Sequence, residues 1–321
     1  MFDKGLDVLE NYDFEVLEIT KGRGVLILST DQGPKMLKEY KGSGRHLVWS
    51  EGILEKANFG NKLHVDSCVK NRDGEFITES VDKSRYIVKN WYNCRDCDVK
   101  NMADILMSVR ALAILHNELE KCKETELLYH ARNISDEMEG HNKEIKRIRK
   151  YLYGKNNRTE FELVATGYCD MFYEEGNSAI NRFKEFIDNE QPQIGLCHGD
   201  YNFHNICFAQ GIPVILNFDK QNYNYLMSDL YRFMRKILEK SDWNREIGIQ
   251  LINEYKKERT LEETDLHLLA ILFSYPEKFW KILNGYFNSN KAWIPQKKLE
   301  KLKKFIEQNE KRLEFIKTIY S

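Results

Sequence analysis

The sequence predicts an α+β protein with a small β-rich N-terminal part and a larger, mainly helical C-terminal part. In residues 13–40, short apolar runs alternate with turn-forming residues, as in antiparallel strands. Beyond residue 92, apolar side chains recur at steps of three and four, as on one face of a helix. The 321 residues are also too many for one ordinary compact domain. We therefore predict two lobes, residues 1–91 and residues 92–321.

The N-terminal elements follow from local sequence signals. Three apolar runs are separated by two glycine-containing turns, which predicts a meander of three antiparallel strands over residues 14–40. Helix-spaced apolar residues follow over residues 47–57. Residues 75–91 return to a β-type sequence. The N-terminal lobe is thus expected to be a small sheet with one inserted helix.

The C-terminal lobe is expected to be helical with one interruption. It begins with a helix whose apolar residues run from Met102 to Leu115, and residues 119–190 are charged, free of proline and helical in pattern. Residues 195–219 contain two brief apolar runs, which predict a short β-rich segment within this lobe. From Leu226 the pattern is helical again and ends in an amphipathic stretch over residues 297–320.

Composition excludes several classes of protein. With 49 Lys and Arg against 50 Asp and Glu, the net charge of -1 provides no field that draws the chain to nucleic acid or anionic lipid. The longest apolar run, residues 268–273, is far shorter than the roughly 18 residues of a transmembrane helix. The first residues lack the basic and apolar regions of a secretory signal. We expect synthesis and residence inside the cell, with neither nucleic acid nor membrane as a partner.

The seven cysteines do not have the density of a disulfide-stapled scaffold, so we expect most of them to be reduced. Cys94 and Cys97 have the spacing of half a zinc site or of a redox pair. No second pair lies nearby in the sequence, and no thioredoxin-like pattern surrounds them. A structural interpretation of both residues is therefore favoured.

The segment His198-Gly199-Asp200-Tyr201-Asn202-Phe203-His204-Asn205, with Asn217-Phe218-Asp219 after it, carries the strongest chemical signal. Phosphoryl transfer needs a carboxylate that orients the attacking hydroxyl and oxygen ligands for a metal ion on the phosphates. Asp200 suits the first role, and Asn205 with Asn217 or Asp219 suits the second. An isolated His-Gly-Asp would be interpreted as a turn with a helix-capping Asp. The five-residue step from Asp200 to Asn205 and the β-like flanks favour catalysis.

This segment resembles the catalytic-loop motif of the aminoglycoside phosphotransferase and choline kinase families, which share the protein-kinase-like fold. The resemblance implies a bilobal fold with ATP between the lobes and Mg2+ as a cofactor. It implies that Asp200 and Asn205 are catalytic. It also implies a metal site formed by Asn205, Asn217 and Asp219.

Other landmarks of that fold have counterparts in this sequence. Lys38, at the end of the third predicted strand, resembles the lysine that binds the nucleotide phosphates, and Gly22 and Gly24 lie in the turn expected above them. Glu51 is expected to form the ion pair with Lys38, with Glu55 as the alternative. The hinge that meets the adenine is matched by Lys89, Asn90 and Trp91. His198 and Asp229 match two structural residues near the site.

Four further stretches resemble the CotS-type spore coat proteins of endospore formers. They are residues 215–220, 229–236, 275–281 and 288–295. This likeness implies a kinase-like protein that is synthesised in the cytoplasm and deposited in the spore coat. Its partners would be a nucleotide, an unidentified small-molecule acceptor and other spore coat proteins.

Asn217 departs from the kinase pattern, which has a magnesium-binding Asp at this position. An amide oxygen can ligate a hard cation but adds no negative charge, so metal affinity should fall. Asp219 would point to the same side in an extended chain and could substitute. Two explanations stay open. The chain is an ATP-dependent phosphotransferase acting on a small-molecule hydroxyl, or it is a weak or inactive pseudokinase with a structural role in the spore coat.

Two lesser patterns have structural interpretations. The aromatic residues between Tyr275 and Trp293 could line an acceptor pocket, but their helical spacing favours core packing. The basic residues of 297–304 alternate with apolar ones on an amphipathic helix. This alternation favours a solvated helix face over a partner-binding surface.

Overall fold

The computed structural model describes residues 5–22, 24–122, 134–288 and 295–320. Within these ranges the chain divides into two compact units. The first comprises Met1–Tyr129 and His198–Asn222, and the second comprises His130–Cys197 and Tyr223–Ser321. The segment with the strongest chemical signal therefore folds with the N-terminal part of the chain. The lobe boundary after residue 91 stays a prediction.

The first unit is built on two β-sheets. The strands of one sheet are β1 (Val16–Lys21), β2 (Leu26–Thr30), β3 (Lys35–Glu39), β5 (Cys68–Val69), β6 (Thr78–Glu79) and β7 (Arg85–Asn90). Their order is β1-β2-β3-β7-β5, with β6 also paired to β7, and the pairs are antiparallel. The predicted meander of three strands is thus confirmed in β1, β2 and β3.

The second sheet joins N-terminal strands to the segment with the strongest chemical signal. Its strands are β4 (His64–Val65), β8 (Arg95–Asp96), β10 (Ile206–Ala209) and β11 (Ile212–Ile215). Their order is β4-β11-β10-β8, with β4 parallel to β11. A disulfide between Cys94 and Cys207 adds a covalent link between the chain entering β8 and β10, while the other five cysteines are free and buried.

Strand β7 shows how the sheet separates two apolar clusters. Tyr86 and Val88 pack on one face with Val8 and Tyr12, whereas Ile87 packs on the other face with Leu47 of helix α1 (Gly44–Lys56). Successive side chains of a strand point to opposite faces. Lys89 therefore shares the face of Ile87, which helix α1 covers.

The helices account for the remaining predicted elements. In the first unit, α1 begins at an N-cap serine, Ser43, and α2 (Met102–Glu120) begins at Asn101, whose side chain accepts from Ala103 N–H. The second unit contains a two-stranded sheet, β9 (Ile194–Cys197) with β12 (Asn222–Tyr225). Its helices are α3 (Ile134–Gly154), α4 (Glu160–Asn189), α5 (Met227–Lys240), α6 (Arg245–Lys256), α7 (Glu263–Ser274), α8 (Glu277–Phe287), α9 (Pro295–Glu307) and α10 (Asn309–Tyr320).

The α+β prediction is confirmed by these elements. Among the described residues, no helix combines the length and apolar character that crossing a bilayer requires. Four aromatic residues of the C-terminal helices, Phe279, Trp280, Tyr286 and Phe287, belong to or pack against the core of the second unit. Trp293, with most of the coat-protein-like stretch 288–295, lies outside the described residues.

Candidate active site

A tight turn at Gly199 brings the two halves of the site together. Gly199 has a φ of +79°, and a Cβ atom added there would lie 2.0 Å from the carbonyl oxygen of Lys220. Side chains disfavour both the positive φ and so short a contact. Glycine is therefore required for the Asp200 segment to pass this close to the Lys220 turn.

His198 holds the backbone of this turn from a fully buried position. Its Nδ1 accepts the backbone N–H of Asp200 at 3.1 Å, and its Nε2 lies 2.9 Å from the carbonyl oxygen of Leu216. A carbonyl accepts only, so Nε2 is the donor to Leu216. His198 thus links the backbone at Asp200 to the residue that follows β11.

Asp200 is partly exposed to solvent but is not free. Its Oδ2 accepts from Lys220 Nζ at 3.0 Å, and its Oδ1 accepts from Asn202 Nδ2 at 3.2 Å. Lys220 has no counterpart among the residues that the sequence singled out. A carboxylate that is to orient a substrate hydroxyl must be reachable by that hydroxyl. Asp200 meets this condition because the lysine that covers it is itself two-thirds exposed.

Asn205 and Asn217 are hydrogen-bonded to each other. Asn217 Nδ2 donates to Asn205 Oδ1 at 2.9 Å, and Asn205 Nδ2 donates to the carbonyl oxygen of Asp200 at 2.9 Å. The second bond fixes the orientation of the Asn205 amide, so its oxygen faces Asn217. The two side chains expected to share a metal ion are thus joined by an amide–amide hydrogen bond.

Asn217 adopts a left-handed backbone conformation that Asp66 supports. Its φ and ψ are 65° and 66°, a region that asparagine tolerates better than most residues. Asp66 Oδ2 accepts the backbone N–H of Asn217 at 3.0 Å. Asp66 is buried and directly follows β4. Because β4 pairs with β11, this carboxylate lies beside the Asn217 turn that follows β11. Asp66 therefore positions the Asn217 turn.

Lys38 lies against Asp219, in the same unit. Lys38 Nζ donates to Asp219 Oδ2 at 3.3 Å, with both side chains about one-third exposed. Exposed ion pairs of this kind contribute only about 0–1 kcal/mol. Both groups can therefore exchange this contact for a ligand at little cost.

The expected ion pair between Lys38 and Glu51 is not the one that forms. Glu51 Oε1 lies 3.8 Å from Lys89 Nζ, and its Oε2 accepts the backbone N–H of Cys68 at 2.8 Å. The physical reason is that Lys89 lies on the face of β7 that helix α1 covers, so its ammonium group lies under that helix. Glu55, the alternative partner, pairs with Lys70.

Lys89 is buried, and its closest acid is Asp66, whose Oδ2 lies 3.3 Å from Lys89 Nζ. Burial by itself lowers the pKa of Lys89, but the negative charges of Asp66 and Glu51 outweigh it and the pKa is raised. Burial raises the pKa of Glu51, and the more distant Lys89 offsets this only in part. Lys89 is thus a charged lysine held mainly by Asp66.

Helix α1 also anchors the turn that carries Asp219 and Lys220. Gln221 is fully buried, and its side-chain oxygen accepts from Ser50 Oγ. Its carbonyl oxygen lies 2.7 Å from His46 Nε2. Because Gln221 immediately follows Lys220, these contacts hold the Asp219–Lys220 pair in place relative to helix α1.

The hinge residues are engaged within the protein. The backbone N–H of Asn90 donates to Ser67 O at 2.9 Å, and that of Trp91 donates to Pro34 O at 3.1 Å. The side chain of Asn90 accepts from Lys35 Nζ.

The remaining predicted residues have these positions. Gly22 and Gly24 lie in the turn between β1 and β2, where Gly22 N–H donates to Val25 O and Gly24 has a φ of +78°. Asp229 is fully buried in the first turn of α5, in the second unit. A carboxylate at a helix N-terminus is favoured by the helix dipole.

The magnesium ion that the kinase resemblance implies does not suit this set of donors. Mg2+ in such sites is held by carboxylates together with substrate phosphates. Asn205 and Asn217 are neutral amides joined by one hydrogen bond, so Asp219 is the single carboxylate among the three predicted ligands. One buried oxygen of Asp66 has no hydrogen-bond partner among the described residues, but the ammonium of Lys89 lies 3.3 Å from the other.

Comparisons with known proteins address the fold. No family model and no curated protein match the sequence. The chain is similar to the solved structure of the aminoglycoside phosphotransferase from Alicyclobacillus acidocaldarius subsp. acidocaldarius DSM 446. The TM-score is 0.84 at 14% identity, over 99% of this chain and 96% of that chain.

Two further solved structures have the same fold at lower similarity. Amicoumacin kinase hAmiN in complex with AMP-PNP, Ca2+ and Ami has a TM-score of 0.62 at 13% identity, over 97% of this chain and 93% of that chain. A choline/ethanolamine kinase family protein from Mesorhizobium loti has a TM-score of 0.56 at 11% identity, over 97% of this chain and 95% of that chain. The predicted protein-kinase-like fold is confirmed.

Proposed function

We propose that this protein binds ATP and transfers its γ-phosphoryl group, slowly, to a hydroxyl group of a small molecule. The observation that carries the proposal is the gathering of Lys38, Asp200, Asn205, Asn217 and Asp219 within one compact unit. The structural neighbours support the same class of reaction, since one is described as an aminoglycoside phosphotransferase and another as a kinase with bound AMP-PNP.

In this proposal Asp200 orients the acceptor hydroxyl and accepts its proton as the hydroxyl oxygen bonds to the γ-phosphorus and ADP leaves. Lys38 and Lys220 contact the phosphates. Each lysine is paired with a carboxylate in the structure, so each pair must open when the nucleotide arrives. Opening two exposed pairs costs about 0–1 kcal/mol each, whereas a hydrogen bond to a charged phosphate gains about 1.5–3 kcal/mol. The balance favours binding.

Magnesium, which the kinase resemblance implies, takes no part in the proposed steps. Its predicted ligands are two neutral amides and one carboxylate, which together supply a single negative charge. Electrostatic stabilisation of the transferred group then depends on Lys38 and Lys220. This is why we propose slow transfer.

A second candidate function is a nucleotide-binding pseudokinase that has a structural role in the spore coat. The hydrogen bond between Asn205 and Asn217 favours it, since it occupies the Asn205 oxygen that would otherwise ligate the metal. The likeness of several stretches to CotS-type proteins supports synthesis in the cytoplasm, deposition in the coat and other coat proteins as partners. This function requires ATP binding without transfer.

A phosphorylation screen of small hydroxylated and amino compounds with radiolabelled ATP tests the first function. We expect transfer to at least one compound by the unaltered protein, and a loss of about a hundredfold in Asp200→Asn, which keeps the shape but not the base. Asp73→Asn, the same change at an exposed loop position, should leave the rate unaltered. Transfer that survives in Asp200→Asn would exclude the assigned role, and ATP binding without transfer to any compound would favour the pseudokinase.

A further inference from the structure

The charges around the site are already balanced in a way that differs from a metal-dependent kinase. Two carboxylates, Asp200 and Asp219, each bind one lysine, Lys220 and Lys38 respectively. The amide of Asn217 stands where an acid would be needed to hold a metal ion. These four charged side chains and the amide therefore carry no net negative charge.

The geometry of the two amides also disfavours a metal ion between them. Asn205 cannot turn its oxygen elsewhere without losing the bond from its Nδ2 to the carbonyl oxygen of Asp200. Asn217 presents its Nδ2, a donor, to that oxygen. A cation would have to displace the Asn217 Nδ2 group from the Asn205 oxygen. Neutral amides would then attract it less strongly than carboxylates do.

Asp66, a carboxylate held close to the Asn217 turn, has the Lys89 ammonium beside it as a counter-charge. It accepts the Asn217 N–H and is paired with the buried ammonium of Lys89. A divalent cation placed at Asp66 would be repelled by this lysine. Asp66 is therefore a support for the turn, and the cation beside it is Lys89.

Lys38 and Lys220 are placed to meet a polyphosphate. Lys38 lies on β3 and Lys220 follows Asp219 directly, so the pairs Lys38–Asp219 and Lys220–Asp200 are adjacent along the turn. A lysine ammonium is a flexible point charge that suits phosphate oxygens. Both lysines are released when their exposed pairs open.

We propose that this site binds a nucleoside triphosphate without a divalent cation, with Lys38 and Lys220 supplying the positive charge that magnesium supplies in metal-dependent kinases. The inference rests on the proposed function only in that a nucleotide must bind. It assigns Lys220, which the kinase resemblance does not mark, as a phosphate-binding residue.

Isothermal titration calorimetry with ATP, at equal ionic strength in excess EDTA and in excess MgCl2, tests this. For the unaltered protein the two dissociation constants should agree within about threefold. Lys38→Met and Lys220→Met should each weaken binding about tenfold in both solutions, because each loses a charge-assisted contact. Lys41→Met, at an exposed lysine that pairs with Glu39, is the matched control and should bind as the unaltered protein does.

Asn217→Asp should create the metal dependence that the native turn lacks. Its ATP affinity should become about tenfold or more higher in MgCl2 than in EDTA, because the new carboxylate attracts the metal and repels free phosphate. Asn58→Asp makes the same change at an exposed position that caps Gly60 and should show no such difference. Thermal melts of every variant establish that it is folded.

The outcomes separate the two proposals. Equal affinity in both solutions supports the metal-free site. Binding that requires MgCl2 in the unaltered protein overturns this inference and the metal-free form of the proposed transfer, but leaves ATP binding and phosphoryl transfer as the proposed function. The absence of binding in either solution, by folded protein, overturns both.

Discussion

Replacing Lys89 with methionine is expected to lower the free energy of unfolding by about 3–5 kcal/mol, because it leaves two buried carboxylates without their cation. Lys89 is 2% exposed and lies 3.3 Å from Asp66 and 3.8 Å from Glu51. Methionine fills a similar volume, so the loss reports charge and not a cavity. Urea unfolding followed by circular dichroism measures it.

Two further variants make this expectation specific. Lys70→Met removes an exposed lysine paired with Glu55 in the same unit and should cost less than about 1 kcal/mol. The triple variant Lys89→Met, Glu51→Gln and Asp66→Asn removes all three charges and should recover much of the lost stability. A loss below about 1 kcal/mol in Lys89→Met alone would mean that the buried ion pairs do not hold helix α1 and the Asn217 turn.

The replacement Gly199→Ala is expected to cost about 4 kcal/mol, a size reached by backbone strain combined with a clash. The added Cβ would meet the Lys220 carbonyl oxygen at 2.0 Å and Asn222 Nδ2 at 2.5 Å. Neither atom can yield easily, because Lys220 O also accepts from that Asn222 nitrogen. The variant should therefore lose ATP binding as well as stability.

Gly74→Ala is a matched control for the backbone part of this cost. Gly74 has a φ of +81°, close to that of Gly199, but within the described part of the chain no atom beyond its two neighbours lies within 4 Å of an added Cβ. It should lose only about 1 kcal/mol, the usual cost of placing a side chain at positive φ. If the two variants lose the same amount in urea unfolding, the close approach of Gly199 to Lys220 is not a feature of the folded protein.

The architecture could be predicted because its signals are local. The strands β1, β2 and β3 follow from apolar runs separated by turns, and helix α1 follows from helical spacing. The spacing of Asp200, Asn205 and Asn217 is equally informative, since a short segment has few ways to place an acid and an amide near one turn. The structure brings these residues together as a hydrogen-bonded set.

The partners of the charged residues could not be predicted in the same way, because they depend on which strands become neighbours. Pairing Lys38 with Glu51 is reasonable from the kinase pattern, but Lys89 occupies the face under helix α1 and takes that glutamate. A usable signal exists, since a lysine inside the apolar strand Tyr86-Ile87-Val88-Lys89 must find a buried acid. Asp66, which directly follows the short strand β4, is the acid that it finds.

The contact of Lys220 with Asp200 and the disulfide could not be predicted from neighbouring residues in the sequence. No sequence signal near Lys220 marks it as the partner of Asp200, twenty residues earlier, since the turn at Gly199 creates that contact. Cys94 and Cys207 are 113 residues apart and meet through the pairing of β8 with β10. Long-range strand pairing of this kind leaves no trace in spacing.

Lys38 and Lys220 are expected to contact the phosphates of a bound nucleotide, which leaves Asp200 free for the acceptor hydroxyl. A crystal structure of the protein grown with AMP-PNP and EDTA tests it most directly. We predict that phosphate oxygens lie within about 3 Å of Nζ of both lysines and that the Asp200 carboxylate is released from Lys220. A nucleotide bound elsewhere, or phosphates that contact neither lysine, would contradict the account.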